Sequence, residues 1–369
     1  MLINKFLNNK ITLFVALYFG LLVIFIIRLN FGLRGYPQGT NILDTYMEFY
    51  FQKTYGIFPW DPLTDWGQPV GGFTGPTLIY PLLYILPISV LIRLFEATLL
   101  FASGFLTYYA LERTGFSPLS SALSATFYML MVETSQFFDG HSYLMVTYAF
   151  FPIFLFLLYN LIQRPNPKYS IGTAFIFYVI FSLGALDGFY TAFIGTIPFF
   201  LFFLIRRVRN EKYKAIEWVE LFLAPILFVI LSLTWIWPYI SGIRPEFTTN
   251  ITVNIIPFSQ TGSISPLYSF SGFIADISYT YFYLHNFTYS FLSGYYYAIF
   301  LCLPILFVMY VFRHRSDRLS IFVLIYSFFF AVIATGDIVP VLSGFNYLLY
   351  AYIPFFNLNP SLFRWDVSI

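Results

Sequence analysis

The 369-residue chain is short of charge: Asp, Glu, Lys and Arg make up only 10% of it, against 59% hydrophobic and 23% aromatic residues. Soluble proteins carry about 25% charged residues, so too little polar side chain is present to cover a water-facing globule. A mean hydropathy of +0.75 points the same way, to a membrane. Basic residues are not in excess either. With 19 Lys and Arg against 17 Asp and Glu the net charge is +2, which excludes nucleic acid as a partner because nothing is left over for a phosphate backbone. The single cysteine, Cys302, cannot form an intramolecular disulfide and matches no zinc-binding spacing.

What is abundant is long apolar runs. Nine approach the roughly 20 residues that a helix needs to cross a bilayer: Ile11–Ile27, Ala97–Leu111, Ser117–Val132, Tyr143–Ile162, Ser170–Leu186, Phe189–Ile205, Trp218–Pro238, Tyr295–Phe312 and Ile321–Ala334. A tenth, Val339–Phe356, either crosses or returns at the same face. The first run follows Lys5 and Lys10, as in a secretory signal, but Arg28 and the bulky residues beyond it offer no small-residue cleavage site, so it reads as a retained anchor. The expected fold class is all-α, a polytopic transmembrane helical bundle of 9–10 spans with external juxtamembrane helices and no separate soluble domain over 1–369.

Lys and Arg in short loops set the orientation. Arg206, Arg207, Arg209, Lys212 and Lys214 mark a cytoplasmic loop, and counting outward places the N-terminus inside and the loops 29–95 and 239–294 outside. This requires that Thr77–Ile92, broken by Pro81 and Pro87, lies at the outer interface without crossing. The inner face then carries a net +8 and the outer face −6. The sequons Asn250-Ile-Thr252 and Asn286-Phe-Thr288 fall in the second outer loop. The expected location is the cell membrane, multi-pass.

Charge at bilayer depth marks ion and proton paths. None is expected mid-span: Glu96, Glu133 and Asp187 fall at outer span ends, Glu217 and Glu220 at an inner one. This weighs against an ion-coupled transporter, although a neutral aromatic pathway for sugar or lipid stays open. Polar chemistry gathers at the outer surface instead. In Asp44-x-x-x-Glu48 the carboxylates stand one helical turn apart, a spacing that suits a hard divalent cation or a general base, and equally a solvated helix face. Asp139-Gly140-His141 can converge on one cation or serve only the geometry of a turn. Arg244, Asp276 and His285 in the second outer loop, with Arg364 near the end, offer forks for a lipid phosphate or simple interfacial anchors.

Taken in order, an N-terminal span, Asp44, Gly56-Ile57-Phe58-Pro59-Trp60-Asp61-Pro62, Gly67-Gln68-Pro69 and Tyr80-Pro81-Leu82-Leu83-Tyr84 resemble the first external loop of the GT-C superfamily of polytopic membrane glycosyltransferases, especially the multi-spanning family similar to YfhO. Gly140-His141 followed by Tyr148-Ala149-Phe150-Phe151-Pro152 resembles that family's turn before its next inward-going span, and Ile353-Pro354-Phe355-Phe356 with Leu362-Phe363-Arg364 its external Pro-aromatic segment. The resemblance implies a sugar passed from a polyprenyl-phosphate donor to an acceptor at the outer face. It also implies a divalent cation, Mg or Mn, on Asp44, Asp139 and His141, with Asp44 or Glu48 as base and Arg364 or Arg244 on the phosphate. No Trp-Trp-Asp motif is present, so transfer to an Asn sequon is not expected. Members usually continue with further spans, so the resemblance leaves open a fragment, a split subunit whose partner supplies the missing C-terminal part, or a non-catalytic relative. The alternative is a non-catalytic subunit or lipid-binding component on the same scaffold.

Overall fold

The structure, a computed structural model, describes residues 11–24, 60–61, 68–69, 82, 85–130, 142–183, 186–210, 213–240, 309, 313 and 319–326. Those residues are helical apart from short connections and one small strand pair. The helices are α1 (Ile11–Ile24), α2 (Ile88–Arg113), α3 (Pro118–Leu130), α4 (Ser142–Gln163), α5 (Pro167–Leu183), α6 (Leu186–Asn210), α7 (Ala215–Ile240) and α8 (319–326). The strands β1 (Trp60–Asp61) and β2 (Gln68–Pro69) pair antiparallel, Trp60 opposite Pro69 and Asp61 opposite Gln68. Among the described residues three helical segments are long and apolar enough to cross a membrane: Arg93–Arg113, Met145–Gln163 and Ala215–Leu233.

The chain divides into two compact units, Met1–Gly188 with Phe199–Ile243, and Phe189–Pro198 with Arg244–Ile369. In the first, α3, α2, α4, α5 and α7 pack in that spatial order. Apolar side chains of α1 close one side: Phe19 and Val23 bury against Leu100 and Tyr108 of α2 and Ala125 and Met129 of α3. Gly104 makes this approach close, because a Cβ there would stand 2.6 Å from the Phe19 ring and 2.9 Å from the Met129 sulfur. An aromatic seam joins α4, α5 and α7, with Phe154 stacked on Phe177 at 4.9 Å and Phe177 against Phe228 at 4.8 Å. The opposite flank of α7 exposes Val219, Phe222, Ile226 and Ile230. Their spacing of three or four residues forms an outward apolar stripe suited to lipid.

Helix ends are set by local chemistry. At the end of α2, Gly115 takes φ +103° while the Phe116 N–H reaches the Leu111 carbonyl and the Gly115 N–H that of Glu112, a Schellman closure. Ser117 then caps α3, its hydroxyl accepting from the Ser120 N–H ahead of Pro118 at the first helical position. Asn166 caps α5 through the Lys168 N–H. Glu217 reaches back from the first turn of α7 to the Lys214 N–H at 2.7 Å. These capped connections share one end of the unit, and that end carries Arg113, Arg164, Lys168, Arg209 and Lys214.

The expected break within Thr77–Ile92 is placed more narrowly. Pro87 is the N-cap of α2, and one continuous helix of 26 residues runs from Ile88 through the segment expected to begin only at Ala97. At 1.5 Å per residue it is about 39 Å long, more than a hydrocarbon core of about 30 Å. The proline sets this start, because no residue from Ile88 onward lacks the N–H that a helix needs until Pro118.

In the second unit the Tyr326 phenol of α8 donates to the Gly195 carbonyl at 2.8 Å.

Candidate functional site

Every site residue expected from the sequence, Asp44, Glu48, Asp139, His141, Arg244, His285 and Arg364, lies outside the described residues. Among the described residues no group of three or more His, Cys, Asp or Glu stands ready for a metal ion. The backbone pairing of β1 with β2 does join two of the motifs that carry the family resemblance, Trp60-Asp61 with Gln68-Pro69.

Glu96 was expected at an outer span end, and it is the fourth residue of the segment Arg93–Arg113, near one end; what the sequence did not announce is its burial, to 2% exposed. Its Oε1 has no hydrogen-bond partner among the described residues. Arg93, one turn earlier on α2, is exposed. The sequence signal was the helix start: once α2 begins after Pro87, Glu96 falls in its third turn, on the same flank as buried Leu99, Leu100, Ser103 and Thr107. The two hydroxyls of that flank are used within α2, Ser103 donating to the Leu100 carbonyl at 2.8 Å and Thr107 to the Ser103 carbonyl at 2.6 Å.

Two contacts fix the level of Glu96 in the bundle. Gly104 meets Met129 of antiparallel α3, and eight residues back along α2, about 12 Å, puts Glu96 beyond Leu130, the last described residue of α3. Tyr109 meets Phe156 of parallel α4 edge-on at 6.3 Å, so thirteen residues back, about 20 Å, Glu96 is level with the first turn of α4. The carboxyl therefore lies at the end of the unit opposite the basic connections, near the level at which α4 begins.

A tyrosine pair clamps those helix ends. The rings of Tyr128 and Tyr148 stack with centroids 4.1 Å apart and planes 2° from parallel. Each phenol donates to the other residue's carbonyl, Tyr128 to Tyr148 at 2.8 Å and Tyr148 to Tyr128. The Tyr148 carbonyl needs an outside donor, because Pro152, four residues on in α4, has no N–H. In hydrocarbon no water can serve it.

At the opposite, basic end, the Tyr213 phenol donates to the Ile162 carbonyl at 2.6 Å, in the last turn of α4. The Arg207 guanidinium lies over the Tyr213 ring, 5.7 Å from its centroid. Burial raises the Tyr213 phenol above its ordinary 10.0, with Glu217 adding to the rise and Arg207 opposing it. Chemically this is an anchor between α4 and the start of α7.

Glu96 and the tyrosine clamp are thus two polar features that the described bundle holds toward one of its ends. Searched against protein-family models, curated proteins and solved structures, the chain finds no match in any of the three.

Proposed function

We propose that the chain is a GT-C-like membrane glycosyltransferase, transferring a sugar from a polyprenyl-phosphate-linked donor to an acceptor at the outer membrane face. The observation that carries this reading is the ordered series Asp44, Trp60-Asp61-Pro62, Gly67-Gln68-Pro69 and Asp139-Gly140-His141 between apolar spans. The apolar helical bundle supports it as a scaffold, and the basic residues gathered at one end of that bundle support a cytoplasmic placement of that end. Asp44, Asp139 and His141 are ligands of the chemistry a divalent cation accepts, and such an ion would neutralise the leaving phosphate as a Lewis acid. Asp44 or Glu48 activates the acceptor hydroxyl as general base. Arg364 or Arg244 adds charge-assisted hydrogen bonds to the phosphate.

The test uses membranes containing the chain or its Asp44→Ala and His141→Ala variants, supplied with radiolabelled sugar on polyprenyl phosphate. Transfer by the parent and its loss in both variants supports the proposal. Undiminished transfer in both variants removes the site, and a parent that transfers nothing alone but does so with a copurified subunit favours a scaffold role.

A further inference from the structure

We infer that the basic end of the first unit, where α4 and α6 finish and α5 and α7 begin, is a site for the head groups of anionic phospholipids in the leaflet that it faces. The inference goes beyond sugar transfer and holds whether or not the chain is an enzyme.

One set of contacts joins these helix ends. The Tyr213 phenol donates to the Ile162 carbonyl at 2.6 Å, the Arg207 guanidinium lies 5.7 Å from the centroid of the Tyr213 ring, and the Tyr213 and Trp218 rings stand 4.7 Å apart. The Ser170 hydroxyl donates to the Glu220 carbonyl at 2.6 Å and ties the start of α5 to α7. Arg164, Lys168, Arg206, Arg209 and Lys214 each follow or precede a member of this set by one or two residues, no more than about 8 Å of chain. All five are exposed, and among the described residues none of their side chains forms an ion pair.

The charge balance favours an anion. With Arg207 these are six basic groups against the acids Glu217 and Glu220, and Glu211 and Lys212 of the link between α6 and α7 add one charge of each sign. Glu217 is already committed to the Lys214 N–H. Arg113, in the turn after α2 at the same end, is balanced by Glu112 at 3.6 Å and stays outside the count. At physiological salt charges act together over a Debye length of about 8 Å, which is the scale on which these groups are gathered.

The adjoining surface selects a lipid over a free phosphate ion. From Lys214 the exposed Ile216, Val219 and Phe222 lead away along α7, and back from Arg209 the exposed Val208, Ile205 and Leu201 lead away along α6. Their spacing of three or four residues keeps each set on one face of its helix. Tyr213 and Trp218 stand where charge gives way to the α7 stripe, the level that aromatic side chains take at a membrane interface. A soluble anion would use the charges alone, whereas a phospholipid places its phosphate among them and its acyl chains along the stripes. Each Lys or Arg near anionic lipid strengthens the attraction by about fivefold.

The experiment places the full chain in phosphatidylcholine vesicles that carry a trace of phosphatidylglycerol or of phosphatidylcholine with a diazirine in one acyl chain. After illumination, peptide mass spectrometry reads the lipid attached to segments 201–209 and 214–222. Phosphatidylglycerol should label them about twentyfold more than phosphatidylcholine does, the product of two basic contacts. Unlabelled phosphatidylglycerol should abolish the excess, and inorganic phosphate replacing chloride at equal ionic strength should not. Arg206→Gln and Arg209→Gln should each lower the excess about fivefold and Arg206→Lys and Arg209→Lys should retain it, while Arg113→Gln, which removes the same charge from the same end, should change it by less than about twofold. Labelling by phosphatidylcholine along both stripes checks that each variant is folded. The inference is overturned if the two lipids label equally, if inorganic phosphate competes as well as phosphatidylglycerol, if the glutamine variants keep the full excess, or if Arg113→Gln lowers it as much as they do, which would mark a diffuse surface potential and no site. Sugar transfer plays no part in the readout, so its failure leaves this inference standing.

Discussion

Replacing Tyr128 by Phe deletes one O–H and keeps the ring that stacks on Tyr148, so it isolates the hydrogen bond to the Tyr148 carbonyl. Interhelical hydrogen bonds in membrane proteins average about 0.6 kcal/mol and reach about 1.7, since lost partners are usually replaced. Here replacement is blocked, because the helix offers Pro152 where the carbonyl would look for an N–H. Leaving a buried acceptor unmet costs about 1–3 kcal/mol, so Tyr128→Phe should fall near the top of the membrane range, about 1.5 kcal/mol. Pro152→Ala supplies the missing N–H. In that background Tyr128→Phe should cost about 0.5 kcal/mol or less, leaving a coupling of about 1 kcal/mol. The four chains are compared in detergent micelles by dodecyl sulfate titration, following tryptophan fluorescence. Equal costs for Tyr128→Phe in the Pro152 and Pro152→Ala backgrounds would refute the orphan-carbonyl argument, whatever the absolute stability.

Two glycines should respond for opposite reasons. Gly104→Ala meets Phe19 and Met129, both fully buried, and should destabilise the α1 contact by about 1–3 kcal/mol, seen as loss of a disulfide engineered between α1 and α3. Gly115→Ala has open space but a positive φ, so a smaller loss of about 1 kcal/mol is expected in the same titration, and Gly115→Asn should recover part of it. The raised Tyr213 phenol makes a stabilising contribution that is complete below pH 10.0, the ordinary value, and is lost as pH rises through the elevated folded value. Unfolding midpoints measured against pH in the alkaline range should therefore fall more steeply for the parent than for Tyr213→Phe. Glu217→Ala removes the reach back to the Lys214 N–H and should cost about 1 kcal/mol, with Glu217→Gln retaining most of it.

Hydropathy located the helices well wherever the described structure tests it, because a bilayer-length apolar run leaves the backbone little choice but to pair with itself. The bounds were less legible. Glu96 was placed at the outer end of a span beginning at Ala97, whereas the helix continues through it to Ile88 with Pro87 as its N-cap. Burial of Glu96 depends on elements distant in sequence, which no local period encodes. The Tyr148 clamp was half visible: Pro152 four residues later announces an unmet carbonyl, but only the tertiary fold reveals that Tyr128 meets it. Of the site itself, the sequence supplied residue types and order, and the chain segments that hold them lie outside the described residues.

The closure at Gly115 also bears on how the chain is made. Only Thr114 to Ser117 separate α2 from α3, and the Schellman bonds with the Ser117 cap leave that link no slack. Emerging from the ribosome, α2 and α3 are therefore expected to pass to the insertion machinery as one folded hairpin. A flexible linker introduced at Gly115 would convert one insertion event into two.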